Sequence, residues 1–292
     1  GSEMCIRDSE TVAQDGMRVR ANAGSSSFRR QPKLAELYQQ AKDHVEKLRE
    51  ESEDKAKRSD ADSARQAART RASSERAERI GQALRQVEEL HAQKEKRKNG
   101  DGEKARCSTT DPDARKMKMG DGGFRPAYNF QFATDGDSRM IVAVEVTNSG
   151  SDRGEMAPMH QQVVSTYGKA PQRQLVDSAF AIKEDVTTLE QSETEVYSTV
   201  HGHESMKKRG ADPFRRQRGD SDEYAAFRQR MSEPASQAIY QQRPSIAEFP
   251  NAECRNRGCR LLRVRGLEKV KSVALLYAST FNLLRMMNLK AI

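Results

Sequence analysis

Residues 124–147 constrain the chain most, because they hold two apolar runs separated by a short polar break. Tyr128, Phe130 and Phe132 alternate with Asn129 and Gln131, the period-2 pattern of a strand. Thr134, Asp135, Gly136 and Asp137 supply turn chemistry, and residues 140–147 (MIVAVEVT) return as an apolar strand. Two such runs joined by a short polar loop make a hairpin.

Segments of strand and helix period alternate around this hairpin. Residues 11–23 (TVAQDGMRVRANA) read as a half-buried strand, with Val12, then Met17, Val19 and Ala21 apolar. Asp15-Gly16 interrupts it, and the same pair would also suit a hairpin turn. After the hairpin, residues 152–167 read as a helix, 174–177 (QLVD) as a strand ending on a carboxylate, 182–189 as a helix and 195–200 as a strand. Residues 201–218 are basic and irregular, and read as a loop. Helices are expected over 221–231, along a stretch carrying Glu248, and over 265–288, whose Val270, Val273, Ala274, Tyr277, Phe281 and Leu284 suit a core.

Between the first strand and the hairpin lies a segment of different character. Leu34, Leu37, Ala41, Val45 and Leu48 recur at helical spacing after Pro32, and Ile80, Leu84, Val87 and Leu90 form a second stripe. A polar turn over 50–63 would join them into a helical hairpin, followed by a basic linker at 94–104 and a loop at 108–123. The domain division is therefore a leader at 1–10, the first strand at 11–30, a helical insertion with its linker at 31–106, and the remainder of the fold at 107–292. The leader (GSEMCIRDSE) lacks the apolar core of a signal peptide and reads as a tag or scar.

Composition matters at this point. The net charge of +8 and the pI near 9.3 favour a polyanionic partner, nucleic acid before membrane. No run of about 18 apolar residues crosses a membrane. Four cysteines without a CxxC pair suit a reducing, cytoplasmic compartment.

Acids and bases meet in residues 240–258 (YQQRPSIAEFPNAECRNRG). A single carboxylate, Glu248, has Tyr240 and Arg243 before it and Arg255, Arg257 and Arg260 after it. On a continuous helix Arg255 falls two turns past Glu248 on the same face. Asp15 on the first strand, Asp177 ending a later one and Glu248 on a late helix give an α/β layout of the ribonuclease H-like kind, with acids converging at one edge of a mixed sheet.

Four stretches, TVAQDGMRVRANAG, STTDPDARKMKMGDGGFRPAYNFQFATD with IVAVEVTNSGSD, QLVDSAF, and YQQRPSIAEFPNAECRNRG with VRGLEKVKSVALLYASTFNLLRM, resemble insertion-sequence transposases of the DDE type, in the branch with a Tyr–Arg–Glu–Lys signature. The resemblance implies a DNA transposase that cuts and transfers strands, with Asp15, Asp177 and Glu248 as catalytic acids and metal ligands. It implies two Mg²⁺ or Mn²⁺ ions, and Tyr240, Arg243 and Arg255 on the substrate, Arg255 standing where the branch carries Lys. Arg257, Arg260, Arg263, Arg265, Lys269 and Lys271 would hold backbone phosphates. The implied partners are double-stranded DNA, as transposon ends and target, and a second copy of the chain on that DNA. Asp111, Asp113 and Asp135 remain rivals for the first acid. Ser178-Ala179 departs from the glycine-bearing turn of the branch, Pro250 lies inside the expected Glu248 helix, and almost nothing precedes the first strand, as in an N-terminally truncated member. The alternative function is an inactive remnant that only binds nucleic acid.

Overall fold

The computed structural model describes residues 10–53, 60–96 and 100–290. The leader, apart from Glu10, lies outside them. Two units divide the chain: residues 1–19, 129–261 and 268–292 form the first, and 20–128 with 262–267 the second. In chain order the elements are β1 (Thr11–Arg20), β2 (Phe28–Arg29), α1 (Gln31–Glu53), α2 (Asp60–Glu95), β3 (Cys107–Ser108), β4 (Arg115–Lys118), β5 (Phe124–Asp135), β6 (Ile141–Thr147), α3 (Met156–Tyr167), β7 (Arg173–Leu175), α4 (Lys183–Gln191), β8 (Glu195–Tyr197), α5 (His203–Lys208), α6 (Asp222–Arg230), α7 (Pro234–Tyr240), α8 (Phe249–Asn256) and α9 (Leu267–Lys290). A π-helical turn, Pro244–Glu248, leads into α8.

In the first unit the strands run in the order β5-β1-β7-β8, with β6 on β5. β1, β7 and β8 are parallel, whereas β5 and β6 form the expected antiparallel hairpin. The parallel strands fit the sequence order, since a helix (α3, then α4) precedes each return. Val12, Ala133, Val142, Met159 and Val163 make one core cluster, and Ala13, Leu175, Phe180, Val196, Phe227 and Ile246 belong to another. Successive residues Val12 and Ala13 enter different clusters, so β1 is covered on both faces. Phe130 and Phe132 meet edge-on with centroids 6.3 Å apart, and burying each ring is worth about 1.5–3 kcal/mol.

In the second unit α1 and α2 pack as the expected pair, and Leu34, Ala83, Val87 and Ala105 close a small core with Cys107. The polar turn narrows, because α1 runs to Glu53 and α2 starts at Asp60, with 54–59 outside the described residues. The linker is partly ordered: α2 extends to Glu95 and a 3₁₀ turn forms at Gly102–Lys104, with 97–99 not described.

Several expectations are corrected. The 108–123 loop contains β4, which pairs antiparallel with β5 from Arg115↔Ala127 to Lys118↔Phe124. The 201–218 loop contains α5. Asp15-Gly16 makes no turn, and β1 runs straight through it. The 265–288 helix buries Val270, Ala274 and Phe281 and half-buries Val273, Tyr277 and Leu284, while Leu276, Leu283 and Met287, outside that stripe, are 68%, 59% and 61% exposed.

Candidate functional site

The register of the parallel strands builds the site. Ala13 pairs with Leu175, the last residue of β7. Two positions further on, with side-chain parity kept, stand Asp15 on β1 and Asp177 in the loop leaving β7. Asp177 is near enough for its charge to act on Asp15. Its Oδ1 accepts the Ala179 N–H at 2.6 Å, so Ser178-Ala179 forms a carboxylate-capped turn without glycine.

Two devices lock β1 at this height. Gln131, Gln14 and Gln174, all fully buried on β5, β1 and β7, form an amide ladder: Gln14 Nε2 donates to Gln131 Oε1 at 3.2 Å and to the Glu155 carbonyl at 3.0 Å, and Gln174 Nε2 donates to Gln14 Oε1 at 3.4 Å. At Gly16 a Cβ would sit 2.5 Å from Asp152 Oδ1 and 2.8 Å from Gln131 Nε2, so a larger residue would have to displace both side chains. Asp152 in turn accepts from Asn129 and Gln131 at 2.7 and 2.8 Å.

The Glu248 segment docks on Asp15 through its neighbours. Arg243 Nη2 donates to Asp15 Oδ1 at 2.8 Å, and Asn251 Nδ2 donates to Oδ2 at 2.8 Å. Burial pushes the Asp15 carboxyl above its ordinary range. The Arg243 charge, the Gly16 N–H and Asn251 oppose that rise, and Asp177 adds to it. Glu248 itself closes the π turn between these two partners; it is exposed and has no hydrogen-bonded partner among the described residues. The expected unbroken helix is interrupted there for a physical reason. Pro250 has no N–H to give to the preceding turn, and it sits in the first turn of α8, where that loss costs nothing.

Asp15 and Asp177 are therefore brought together. Glu248 shares their neighbourhood only through Arg243 and Asn251. Among the described residues no three His, Cys, Asp or Glu side chains lie close enough to hold a metal ion. The donors present are nonetheless all hard oxygens, and the buried Oδ1 of Asn251 has no partner among the described residues. That donor set suits Mg²⁺ or Mn²⁺ in its chemistry.

Asn251 was missed in the sequence; the signal was an Asn directly after Pro250, in the first turn of α8. The rival acids are engaged elsewhere. Asp111 is fully buried; its Oδ1 accepts from Tyr128 Oη at 2.7 Å and from the Gly266 N–H at 3.1 Å. Asp113 accepts from Gln82, Gln86 and the Leu267 N–H. Asp135 is also fully buried and takes the Ser138 N–H at 2.7 Å inside the β5–β6 turn.

The cationic residues are less uniform. Arg255 is exposed and makes no ion pair with the three acids. Arg257 pairs with Glu253 at 3.2 Å and Lys271 with Glu145 at 2.8 Å, while Arg260 donates to the Arg255 carbonyl and Arg265 to that of Asn22. Arg263 and Lys269 are exposed. Tyr240 lines a cavity of about 280 Å³ with Thr199, His203, Lys207 and Phe214, and its hydroxyl lies 3.4 Å from Thr199 Oγ1.

Residues 86–284 match the family described as Transposase DDE domain. The matched span takes in Asp177, Glu248 and every cation from Arg255 to Lys271; it begins after β1, so Asp15 lies outside it. No curated protein and no solved structure matches the chain. No helix among the described residues is long and apolar enough to cross a membrane.

Proposed function

The chain belongs to the transposase DDE domain family, and on that premise we propose that it is a DNA transposase of the Tyr–Arg–Glu–Lys branch, cutting and transferring strands with Asp15, Asp177 and Glu248. The strand order β6-β5-β1-β7-β8, with the last three strands parallel, supports a ribonuclease H-like reading of the catalytic domain. The observation that supports the assignment is the register of β1 on β7, from which Asp15, in the middle of β1, and Asp177, just past the end of β7, stand level and near enough for their charges to act on each other. Like-charged acids held together gain by sharing a cation.

Asp15 and Asp177, with Glu248 as the third acid once its side chain turns in, would hold Mg²⁺ or Mn²⁺, which would supply activation of a water or a 3′-hydroxyl and stabilisation of the leaving oxygen at phosphorus. The chain's own part is positional. Asn251 orients Asp15, and the amide ladder fixes its height. Arg243 and Arg255 would meet the charge developing on phosphoryl oxygens. Arg257, Arg260, Lys269 and Lys271 in one unit, with Arg263 and Arg265 in the other, would hold DNA phosphates without reading bases.

The second reading, a remnant that binds nucleic acid and does not cut, draws on the absence of a gathered triad among the described residues. One experiment separates the two. Purified chain with Mn²⁺ and linear DNA carrying a transposon end should nick the DNA, and Asp177→Ala should lower the rate at least 100-fold. Equal nicking by both proteins rejects the site; no nicking by the wild type, with salt-sensitive binding retained, selects the remnant.

A further inference from the structure

Asp15 is gripped by two partners whose own hydrogen bonding is incomplete. Arg243 is 8% exposed and uses Nη2 on Asp15, while its buried Nε has no acceptor among the described residues. Asn251 is 2% exposed and uses Nδ2, while its buried Oδ1 has no donor among the described residues. A buried guanidinium normally spends its parallel N–H pair on one bidentate acceptor. Here the hydrogen bonding of both partners is left incomplete. Asp15 also feels the charge of a second carboxylate, Asp177, for which no cationic partner stands among the described residues.

We propose that Arg243 is an exchangeable counter-ion of Asp15: a divalent cation arriving on Asp15 displaces the guanidinium, which then takes a DNA phosphate, so that cation and DNA strengthen each other's binding. This rests on the reading of Asp15 as a cation ligand.

The physics of the exchange is direct. A divalent cation balances both carboxylates, which one guanidinium does not. Once it is there, Arg243 is a like charge at short range, and its fork fits a phosphate through Nε and Nη2 together. Rotation of the Asn251 amide turns its unpartnered oxygen towards the cation in place of its N–H. Linkage requires the effect to be reciprocal: whatever factor the cation gives to DNA affinity, DNA returns to cation affinity.

The test uses the full chain, Mn²⁺ binding followed by electron paramagnetic resonance without DNA, and anisotropy of a short labelled duplex with and without Ca²⁺. Arg243→Gln, which removes the internal competitor, should bind Mn²⁺ about tenfold more tightly than the wild type, the worth of one charge-assisted hydrogen bond. Arg243→Lys should fall between them. Ca²⁺ should tighten duplex binding severalfold in the wild type and leave Arg243→Gln unimproved.

Mn²⁺ affinity that is unchanged or weaker in a folded Arg243→Gln overturns the exchange. So does a Ca²⁺ effect on duplex binding that is the same in both proteins; the wild-type Ca²⁺ response is read even if the glutamine variant fails to fold. Asp15→Asn separates this failure from that of the underlying reading. If it binds Mn²⁺ as well as the wild type, Asp15 is no cation ligand, and both fall.

Discussion

Asp15 in the first unit and Asp111 in the second are both burial-raised carboxylates near a second Asp, yet their partners differ in kind. Asp111 and Asp113 accept the N–H groups of Gly266 and Leu267, where α9 begins. Backbone donors at a helix start suit an anion, and they cannot leave without unwinding the helix. Asp15 has the adjacent Gly16 N–H, but its partners from elsewhere in the chain are a guanidinium and an amide, both side chains that can rotate away. The lesson is that burial and a raised pKa do not by themselves mark a working acid, whereas the removability of its partners separates a structural carboxylate from a reactive one.

The largest expected effect breaks the comparison if it fails. Asp111→Ala strands the Tyr128 hydroxyl and the Gly266 N–H inside the protein, and should cost about 2–3 kcal/mol in urea unfolding while leaving Mn²⁺ affinity unchanged. Asp15→Asn should do the reverse, abolishing Mn²⁺ binding at a stability cost within about 1 kcal/mol. Its new amide still accepts from Arg243, and Asn251 can flip to offer its oxygen. Equal stability losses in the two variants would remove the distinction.

Tyr128→Phe sharpens the structural side. It deletes one buried donor to Asp111 and should lower unfolding free energy by about 1–2 kcal/mol, with no effect on DNA nicking.

The smallest effect is a pH dependence. Burial raises the Asp111 carboxyl above its ordinary value near 3.8, so in the window above that value the folded state binds more protons than the unfolded chain. Its share of stability is therefore present at or below the ordinary carboxylate pKa and is lost as pH rises through the folded value. Asp111→Asn should flatten that part of the melting-temperature profile. Ca²⁺ should flatten the corresponding Asp15 part in the wild type and leave that of Asp111 in place.

Local pattern carried much of the fold into view. The β5–β6 hairpin, the α1–α2 pair and α9 were legible because each repeats its period over many residues. β4 was missed although Arg115–Lys118 alternates, because its partner half of β5 begins in a glycine-rich stretch. The site was legible as residue types and not as geometry. Asp15 and Asp177 become neighbours through a register between strands some 160 residues apart, which no local window contains. The burial of Asp111 had the same obstacle, since its donor Gly266 is 155 positions away. The break beside Glu248 could have been read from Pro244 and Pro250, which together forbid a regular ladder.

A π turn amounts to an α-helix with one surplus residue threaded in. Loss of a single codon between 244 and 248 would let the coil rewind in ordinary pitch, four residues then sweeping nearly the arc that five sweep now, so Asn251 would still face Asp15. A codon gained there finds no such slack and would swing everything downstream by about 100°, so this short interval should tolerate a loss far better than a gain.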